Sequence, residues 1–103
     1  MLTVIVSYQI KPEFSKQNKK NIEQFLNEFK HLDAANFSYT FYTKDDNITF
    51  VQHSIYNNEK VQTKKLNVPS FKQFQRLRDE SGINGTHNVE ILNFIGSSKE
   101  IFD

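Results

Sequence analysis

The sequence lacks cysteine and tryptophan, and its 103 residues include only three glycines and two prolines. Without cysteine, disulfides, thiolate metal sites and a cysteine nucleophile are all excluded. The three glycines, Gly82, Gly85 and Gly96, do not form a phosphate-binding loop or a dinucleotide fingerprint. The formal net charge is only +1, and the basic residues are interleaved with acidic ones. The chain therefore has no basic patch of the kind that binds nucleic acid, and no nucleic-acid partner is expected.

The apolar stretch at residues 1–10 is too short to span a bilayer, and it runs directly into Lys11 and Pro12. We interpret it as a β-strand, and we expect a cytoplasmic protein with no membrane partner. Ten phenylalanines and four tyrosines supply an aromatic core. A chain of this length and hydrophobic content predicts one domain over residues 1–103.

The clearest pattern lies at residues 36–56, where two runs of aromatic and β-branched residues flank a polar tip at residues 45–47. Alternation predicts strands over residues 36–44 and 47–56, joined by a loop with an even number of residues. One face of this hairpin then collects Phe37, Tyr39, Phe41, Ile48, Phe50 and Tyr56, and the other Tyr42, Val51, His53 and Ile55. Because neither face is wholly polar, a sheet covered on both sides is predicted.

The remaining chain predicts two helical regions and two further strands. Helical spacing indicates a helix over residues 13–32 with Ser15 as a candidate N-cap, and a broken helix over residues 59–66 and 69–80. Strands are predicted at residues 2–10 and 88–96, the latter after a turn at residues 83–86.

This order, β-α-β-β-α-β, predicts an α+β ferredoxin-like sandwich with an antiparallel sheet. Helices cover only one face of such a sheet. The other face is expected to pair with a second copy, which gives a homodimer that closes into a dimeric α+β barrel.

Three stretches together resemble the antibiotic-biosynthesis-monooxygenase-like families of the dimeric α+β barrel superfamily. They are VIVSYQIKP at residues 4–12, FVQHSIYNNE at 50–59 and VPSFKQF at 68–74. The resemblance extends over nearly the whole chain. It implies a homodimer with a pocket in each subunit between the sheet and the second helix. The activities it implies are cofactor-independent oxygenation of aromatic polyketides or quinols, and haem degradation.

Several positions can be compared with these families one by one. Lys65 stands where many members have histidine or tryptophan, Ser54 stands where glutamate is frequent, and Tyr56 keeps the family's aromatic residue. Ser7 and Gln75 replace the pocket asparagine and the iron-binding histidine of the haem-degrading members. This argues against a haem function, and no cofactor is expected. The resemblance implies a ligand pocket that includes Ser7, Tyr56, Phe71 and Gln75.

Two residues are candidates for catalysis. His53 can act as a general base or as a hydrogen-bond donor to a phenol or quinone; the alternative is a histidine at the dimer face, bonded to serine or threonine. Lys65 can pair with a phenolate or carboxylate; the alternative is a solvated helix lysine beside Lys64. Strand tyrosines can contact a ligand or simply fill the core. Arg78 and Asp79 are interpreted as part of a solvated helix face.

Three functional hypotheses follow. The first is a cofactor-independent monooxygenase acting on a small aromatic molecule, of the quinol or phenol kind. The alternative is a non-catalytic barrel that binds a small ligand or serves in a stress response, since the family's pocket histidine, tryptophan and glutamate are missing. RNA binding through the sheet is disfavoured, because dimerisation would bury that face. No histidine or carboxylate spacing suggests a metal site.

Overall fold

The computed structural model describes residues 1–32, 35–81 and 83–102. Its elements are β1 (Leu2–Ile10), α1 (Ser15–Phe29), β2 (Phe37–Thr43), β3 (Thr49–Tyr56), α2 (Glu59–Leu66), α3 (Pro69–Ser81) and β4 (Ile83–Asn93). Within these residues the strands form one antiparallel sheet in the order β2-β3-β1-β4. The predicted α+β ferredoxin-like architecture is confirmed. None of the described helices has the length and apolar character that crossing a bilayer requires.

One side of the sheet packs under the helices and is called here the helix side. Tyr8 of β1 lies opposite Phe50 of β3, and Phe37 of β2 lies opposite Tyr56 of β3. All four residues are buried in the core cluster that includes the inward residues of α1 and α3. Because directly opposed residues of antiparallel strands share a face, the predicted division of the hairpin into two faces is confirmed.

The other side, called here the open side, carries no helix among the described residues. Ile5 of β1 lies opposite His53 of β3, which in turn lies opposite Thr40 of β2. The same side also carries Thr3, Ser7, Val51, Ile55 and Glu90. It is a mixed surface, in which apolar residues alternate with polar ones.

Phe25 of α1 stands at the centre of the aromatic core. Its ring lies between 4.8 and 6.5 Å, centroid to centroid, from the rings of Phe29, Tyr39, Phe41, Phe71 and Phe74. These partners belong to α1, β2 and α3, so one side chain joins the two long helices to the sheet. Most of the pairs meet edge to face, an arrangement that aromatic quadrupoles favour.

The ends of α1 differ from the prediction. Ser15 does not cap the helix; the N-cap residue is Phe14, which makes no side-chain capping bond. Instead Ser15 is buried, and its hydroxyl donates a 2.5 Å hydrogen bond to the carbonyl oxygen of Asn47 at the hairpin tip. The helix ends at Phe29, so Leu32, the last residue of the predicted helix, lies beyond that end and is exposed.

The predicted turn at residues 83–86 is wrong, because β4 already begins there. Ile83 pairs with Ile10 of β1, after a register shift between Tyr8 and Ile10. Strand pairing with β1 outweighs the local turn tendency of the Asn-Gly sequence in this segment. The strand also ends earlier than predicted, at Asn93.

The helices do not cover the middle of β4. Val89 and Ile91 lie on the helix side, opposite Val6 and Val4, yet they are 52% and 75% exposed. The aromatic core therefore sits over β2, β3 and part of β1, and this is where the helix side is closed.

The hairpin tip is stabilised by the carboxylate of Asp46. It accepts hydrogen bonds from the backbone N–H of Ile48 (3.0 Å) and of Thr49 (2.8 Å), and from the Thr49 hydroxyl (2.5 Å). These hydrogen bonds lower the pKa of Asp46, and the bond from the Thr49 hydroxyl has the largest effect. The next residue, Asn47, adopts a left-handed backbone with φ 64°, as asparagine tolerates in a turn.

Asp46→Ala is expected to destabilise the protein at pH 7 and to do so less in acid. A carboxyl whose folded pKa is lowered stabilises the fold fully above its unfolded pKa of about 3.9, and this contribution is lost as the pH falls through the folded pKa. Urea unfolding at pH 7 and pH 3 measures the difference. Asp45→Ala, at the exposed neighbouring position, serves as the control. If Asp46→Ala lowers the free energy of unfolding equally at both pH values, the expectation is contradicted.

Candidate functional site

Two tyrosines share a hydrogen bond on the helix side. The hydroxyl oxygens of Tyr39 in β2 and Tyr56 in β3 are 2.8 Å apart, and the rings stand at 89° to each other. Tyr56 is fully buried, whereas Tyr39 is half-buried. Burial raises the pKa of both phenols, and for Tyr39 the neighbouring Tyr56 raises it further. Both residues are therefore neutral phenols at physiological pH.

A buried lysine lies beside this pair. The ammonium of Lys65 in α2 is 4.5 Å from the centroid of the Phe37 ring, which is itself 5.7 Å from the ring of Tyr39. Lys65 is only 6% exposed, so its interpretation as a solvated lysine is wrong. Neighbouring Lys64 does remain exposed. The short helix directs residue 65 toward the sheet, where the face of an aromatic ring stabilises the cation.

The charge of Lys65 has no counter-charge in the described part of the chain. The salt bridge found there joins Arg78 to Asp79, and no carboxylate lies within salt-bridge distance of Lys65. An incoming anionic oxygen would supply the missing counter-charge. This makes the surroundings of Phe37 and Lys65 suited to a phenolate or carboxylate.

A cavity of about 240 Å³ opens next to these residues and is called here the tyrosine cavity. It is lined by Leu26, Phe29, Lys30, Phe37, Ser38 and Tyr39. Phe71 of α3 packs behind it, 5.4 Å from the ring of Tyr39. The aromatic rings, the hydroxyl-bearing side chains and Lys30 among the lining residues suit a flat aromatic anion.

The structure brings some of the predicted site residues together and separates others. Tyr56, Lys65 and Phe71 do not line the tyrosine cavity, but each packs against a residue that does: Tyr56 and Phe71 against Tyr39, and Lys65 against Phe37. Gln75 is half-buried further along α3 and does not line this cavity. His53 lies on the open side, so the two predicted catalytic residues, His53 and Lys65, are on opposite sides of the sheet.

Ser7 also lies on the open side. It lines a different cavity of about 420 Å³, at the end of β1, together with Tyr8, Gln9, Thr49, Thr86, His87 and Asn88. Ser7 therefore does not share a pocket with Lys65 and Gln75, and this set of residues does not fit a haem. Among the described residues, no group of three or more histidines and carboxylates is placed to hold a metal ion.

The burial of Arg78 is not predicted from the sequence. Its guanidinium lies 4.9 Å from the centroid of the Tyr8 ring, and its Nε donates a 2.9 Å hydrogen bond to the Asp79 carboxylate. The Tyr8 hydroxyl accepts a 3.1 Å hydrogen bond from Asn18, but burial still raises the pKa of Tyr8. The interpretation of Arg78 as a solvated residue is wrong. It rests on the charge of the residue and not on its position in the helix. Arg78 follows Phe74 by four residues, the spacing of one helix face.

Comparison with solved structures identifies the fold. No model of a protein family matches the sequence, and no curated protein matches it significantly. An antibiotic biosynthesis monooxygenase is 14% identical, with a TM-score of 0.80 over 93% of this chain and 100% of its own. Rv0793 from Mycobacterium tuberculosis is 13% identical, with a TM-score of 0.79 over 95% and 98% of the two chains. A protein from Bacteroides thetaiotaomicron, named as a candidate antibiotic biosynthesis monooxygenase, is 10% identical, with a TM-score of 0.83 over 96% and 93%.

At these identities the similarity shows the fold. The chain is an α+β protein with the architecture of the antibiotic-biosynthesis-monooxygenase-like proteins, and the resemblance found in the sequence is confirmed at this level.

Proposed function

We propose that the chain is a monooxygenase that acts on a small aromatic molecule of the phenol or quinol kind without a bound cofactor. The observation that carries the proposal is the tyrosine cavity, which Phe37 and Tyr39 line. The ammonium of Lys65 lies over the ring of Phe37, and no carboxylate of the described residues is within salt-bridge distance of it. The fold of proteins named antibiotic biosynthesis monooxygenases supports it.

The chemistry requires the substrate to supply its own electrons. An anthrone illustrates the balance: its CH₂ group becomes a carbonyl with one atom of O₂, and the second oxygen atom leaves as water with the two hydrogens. The anionic form of the substrate reacts with O₂ because it is the more electron-rich. In the proposed site the ammonium of Lys65 stabilises this oxyanion, the Tyr39 hydroxyl donates a hydrogen bond to it, and Phe29 and Phe37 hold the ring.

We further propose that the chain forms a homodimer through the open side. Ile5 and Val51 are half-buried apolar residues on a side that no described helix covers. A two-fold pairing would set these residues against the same residues of a second copy. His53 then belongs to the interface, where Thr40 is its cross-strand neighbour.

Lys65→Met is expected to lower kcat/KM for oxygen uptake at least about tenfold, because the oxyanion loses a charge interaction of about 1.4 kcal/mol or more. Methionine keeps the apolar stem against Phe37, so the thermal midpoint should not fall. Oxygen consumption with a panel of anthrones and quinols is the measurement. Lys64→Met makes the same chemical change at the exposed neighbouring residue and should behave as wild type.

Wild-type protein that consumes no oxygen with any member of the panel would contradict the monooxygenase. The second candidate is then a non-catalytic barrel that binds such molecules. The observation that favours it is Ser54, a buried hydroxyl at the place where the resemblance implies a glutamate. Its signature is a thermal shift with unchanged ligand, since a ligand that binds only the folded state stabilises it.

A further inference from the structure

A second cavity adjoins the tyrosine cavity along the edge of the sheet. It has a volume of about 320 Å³ and is called here the Phe41 cavity. Its lining residues are Lys19, Ile22, Glu23, Leu26, Phe41, Tyr42, Thr43 and Phe50. Leu26 also lines the tyrosine cavity, so the two cavities share this side chain as a wall. The proposed function has so far assigned no role to the Phe41 cavity.

The two cavities lie end to end in one groove. The helix α1 and its C-cap contribute residues from 19–26 to the Phe41 cavity and residues from 26–30 to the tyrosine cavity. The strand β2 contributes residues 41–43 and 37–39 in the same order. This groove between α1 and β2 is called here the edge groove. At about 3.3 Å per strand residue it follows β2 for about 20 Å, which is much longer than one aromatic ring.

The walls of the Phe41 cavity are largely apolar. Leu26 and Phe41 pack against the aromatic core but are only half-buried, so part of their apolar surface is left uncovered. The buried side chains of Ile22 and Phe50 complete the apolar lining. Apolar surface that a ligand covers is removed from water, and this favours binding. An alkyl chain has the chemistry that such a cavity accepts.

The charged residues show which end of a ligand belongs in each cavity. In the Phe41 cavity the ammonium of Lys19 already donates a 2.5 Å hydrogen bond to the Asn47 side-chain oxygen, and the other charged residue is Glu23, whose carboxylate repels an anion. The tyrosine cavity instead has the cation of Lys30 and the hydroxyl group of Tyr39. An oxyanion is therefore favoured in the tyrosine cavity, and an uncharged chain in the Phe41 cavity.

We propose that the edge groove binds an aromatic anion that carries an alkyl chain, with the ring in the tyrosine cavity and the chain in the Phe41 cavity. The inference rests on the proposed function and specifies its substrate as a phenol or quinol with an apolar side chain. Leu26, the wall common to both cavities, then contacts the ligand where the ring meets the chain.

The test compares p-nitrophenolate, a one-ring anion visible by its absorbance, with derivatives that carry a butyl or hexyl chain on the ring. Wild-type protein is expected to bind the hexyl derivative at least about thirtyfold tighter than p-nitrophenolate, because each buried methylene contributes up to about fourfold. The butyl derivative should lie between them. A chain of the same length that ends in a carboxylate should bind at least about tenfold more weakly than the hexyl derivative, since Glu23 lines the apolar cavity.

Thr43→Trp tests where the chain lies. Thr43 is exposed on the helix side opposite Phe50, so an indole there occupies the Phe41 cavity and leaves the buried core in place. The variant should bind the hexyl derivative within about threefold of p-nitrophenolate, while its Kd for p-nitrophenolate stays at the wild-type value. Thr63→Trp makes the same exchange at an exposed position of α2 and should keep the full gain from the chain.

The outcomes separate this inference from the proposed function. Binding of p-nitrophenolate with no gain from the chain, or with a gain that Thr43→Trp leaves intact, would overturn the inference and leave the monooxygenase standing. A gain that Thr43→Trp removes, without oxygen uptake on a panel of quinols that includes alkylated ones, would support the edge groove and count against the monooxygenase. A wild-type protein that binds none of these probes would overturn the inference, whatever the oxygen assay shows.

Discussion

Phe25→Ala is expected to lower the free energy of unfolding by about 3–5 kcal/mol, the typical cost of emptying the place of a buried phenylalanine. Phe25 is fully buried, and its ring contacts come from α1, β2 and α3 together. The loss therefore loosens both helices from the sheet. Because the free energy of unfolding of a small domain is only about 5–15 kcal/mol, this loss is a large part of the total. Urea unfolding at pH 7, followed by circular dichroism, measures it.

Leu66→Ala is the control for this substitution. Leu66 ends α2 and is exposed, so its truncation should cost about 0.5 kcal/mol or less. A loss below about 1 kcal/mol for Phe25→Ala would mean that the core collapses into the vacated space. The same variant should also weaken p-nitrophenolate binding, because Phe25 packs against both Tyr39 and Phe71 behind the tyrosine cavity.

The sequence predicts most of the fold because period-two alternation is a local property. In the hairpin, a loop with an even number of residues is sufficient to place Phe37 and Tyr56 on one face and His53 on the other. The break between α2 and α3 follows from Pro69, which fits only the first turn of a helix. Each of these predictions needs only neighbouring residues, and each is confirmed.

What the sequence does not predict depends on distant contacts. The start of β4 at Ile83 requires the pairing partner Ile10, more than seventy residues earlier. The burial of Lys65 and Arg78 requires the rings of Phe37 and Tyr8, which lie on strands far away in the chain. A charged residue on a helix is usually solvated, so only the assembled sheet shows that these two cations face inward.

The candidate site is predicted only in part for the same reason. Tyr56, Lys65 and Phe71 follow from the resemblance, and in the structure each packs against a ring that lines the tyrosine cavity. Ser7 follows from the same resemblance but lies on the open side, because the face of a strand residue changes with every single step in register. The buried hydrogen bond between Gln52 and Ser54 becomes visible only when side-chain positions are known.

Val51→Lys is expected to dissociate the proposed homodimer. Val51 is half-buried on the open side, opposite Ser7 of β1 and Tyr42 of β2. In a single protomer a lysine there can reach water, whereas in the two-fold dimer two lysines would be buried in one interface. Sedimentation velocity at about 10 μM should show wild type at twice its mass of 12.1 kDa and the variant as a monomer. A rise in Kd of about 100-fold or more, roughly 2.7 kcal/mol, is the expected size of the effect.

Val89→Lys makes the same exchange on the helix side of β4, where Val89 is already exposed, and this variant should remain a dimer. Wild type that sediments as a monomer, or Val51→Lys that stays dimeric, would overturn the dimer through the open side. The tyrosine cavity is lined by residues of a single protomer, from the end of α1 and the start of β2. Monomeric Val51→Lys protein should therefore still bind a small aromatic anion such as p-nitrophenolate. The proposed dimer and the proposed ligand site are thus tested independently of each other.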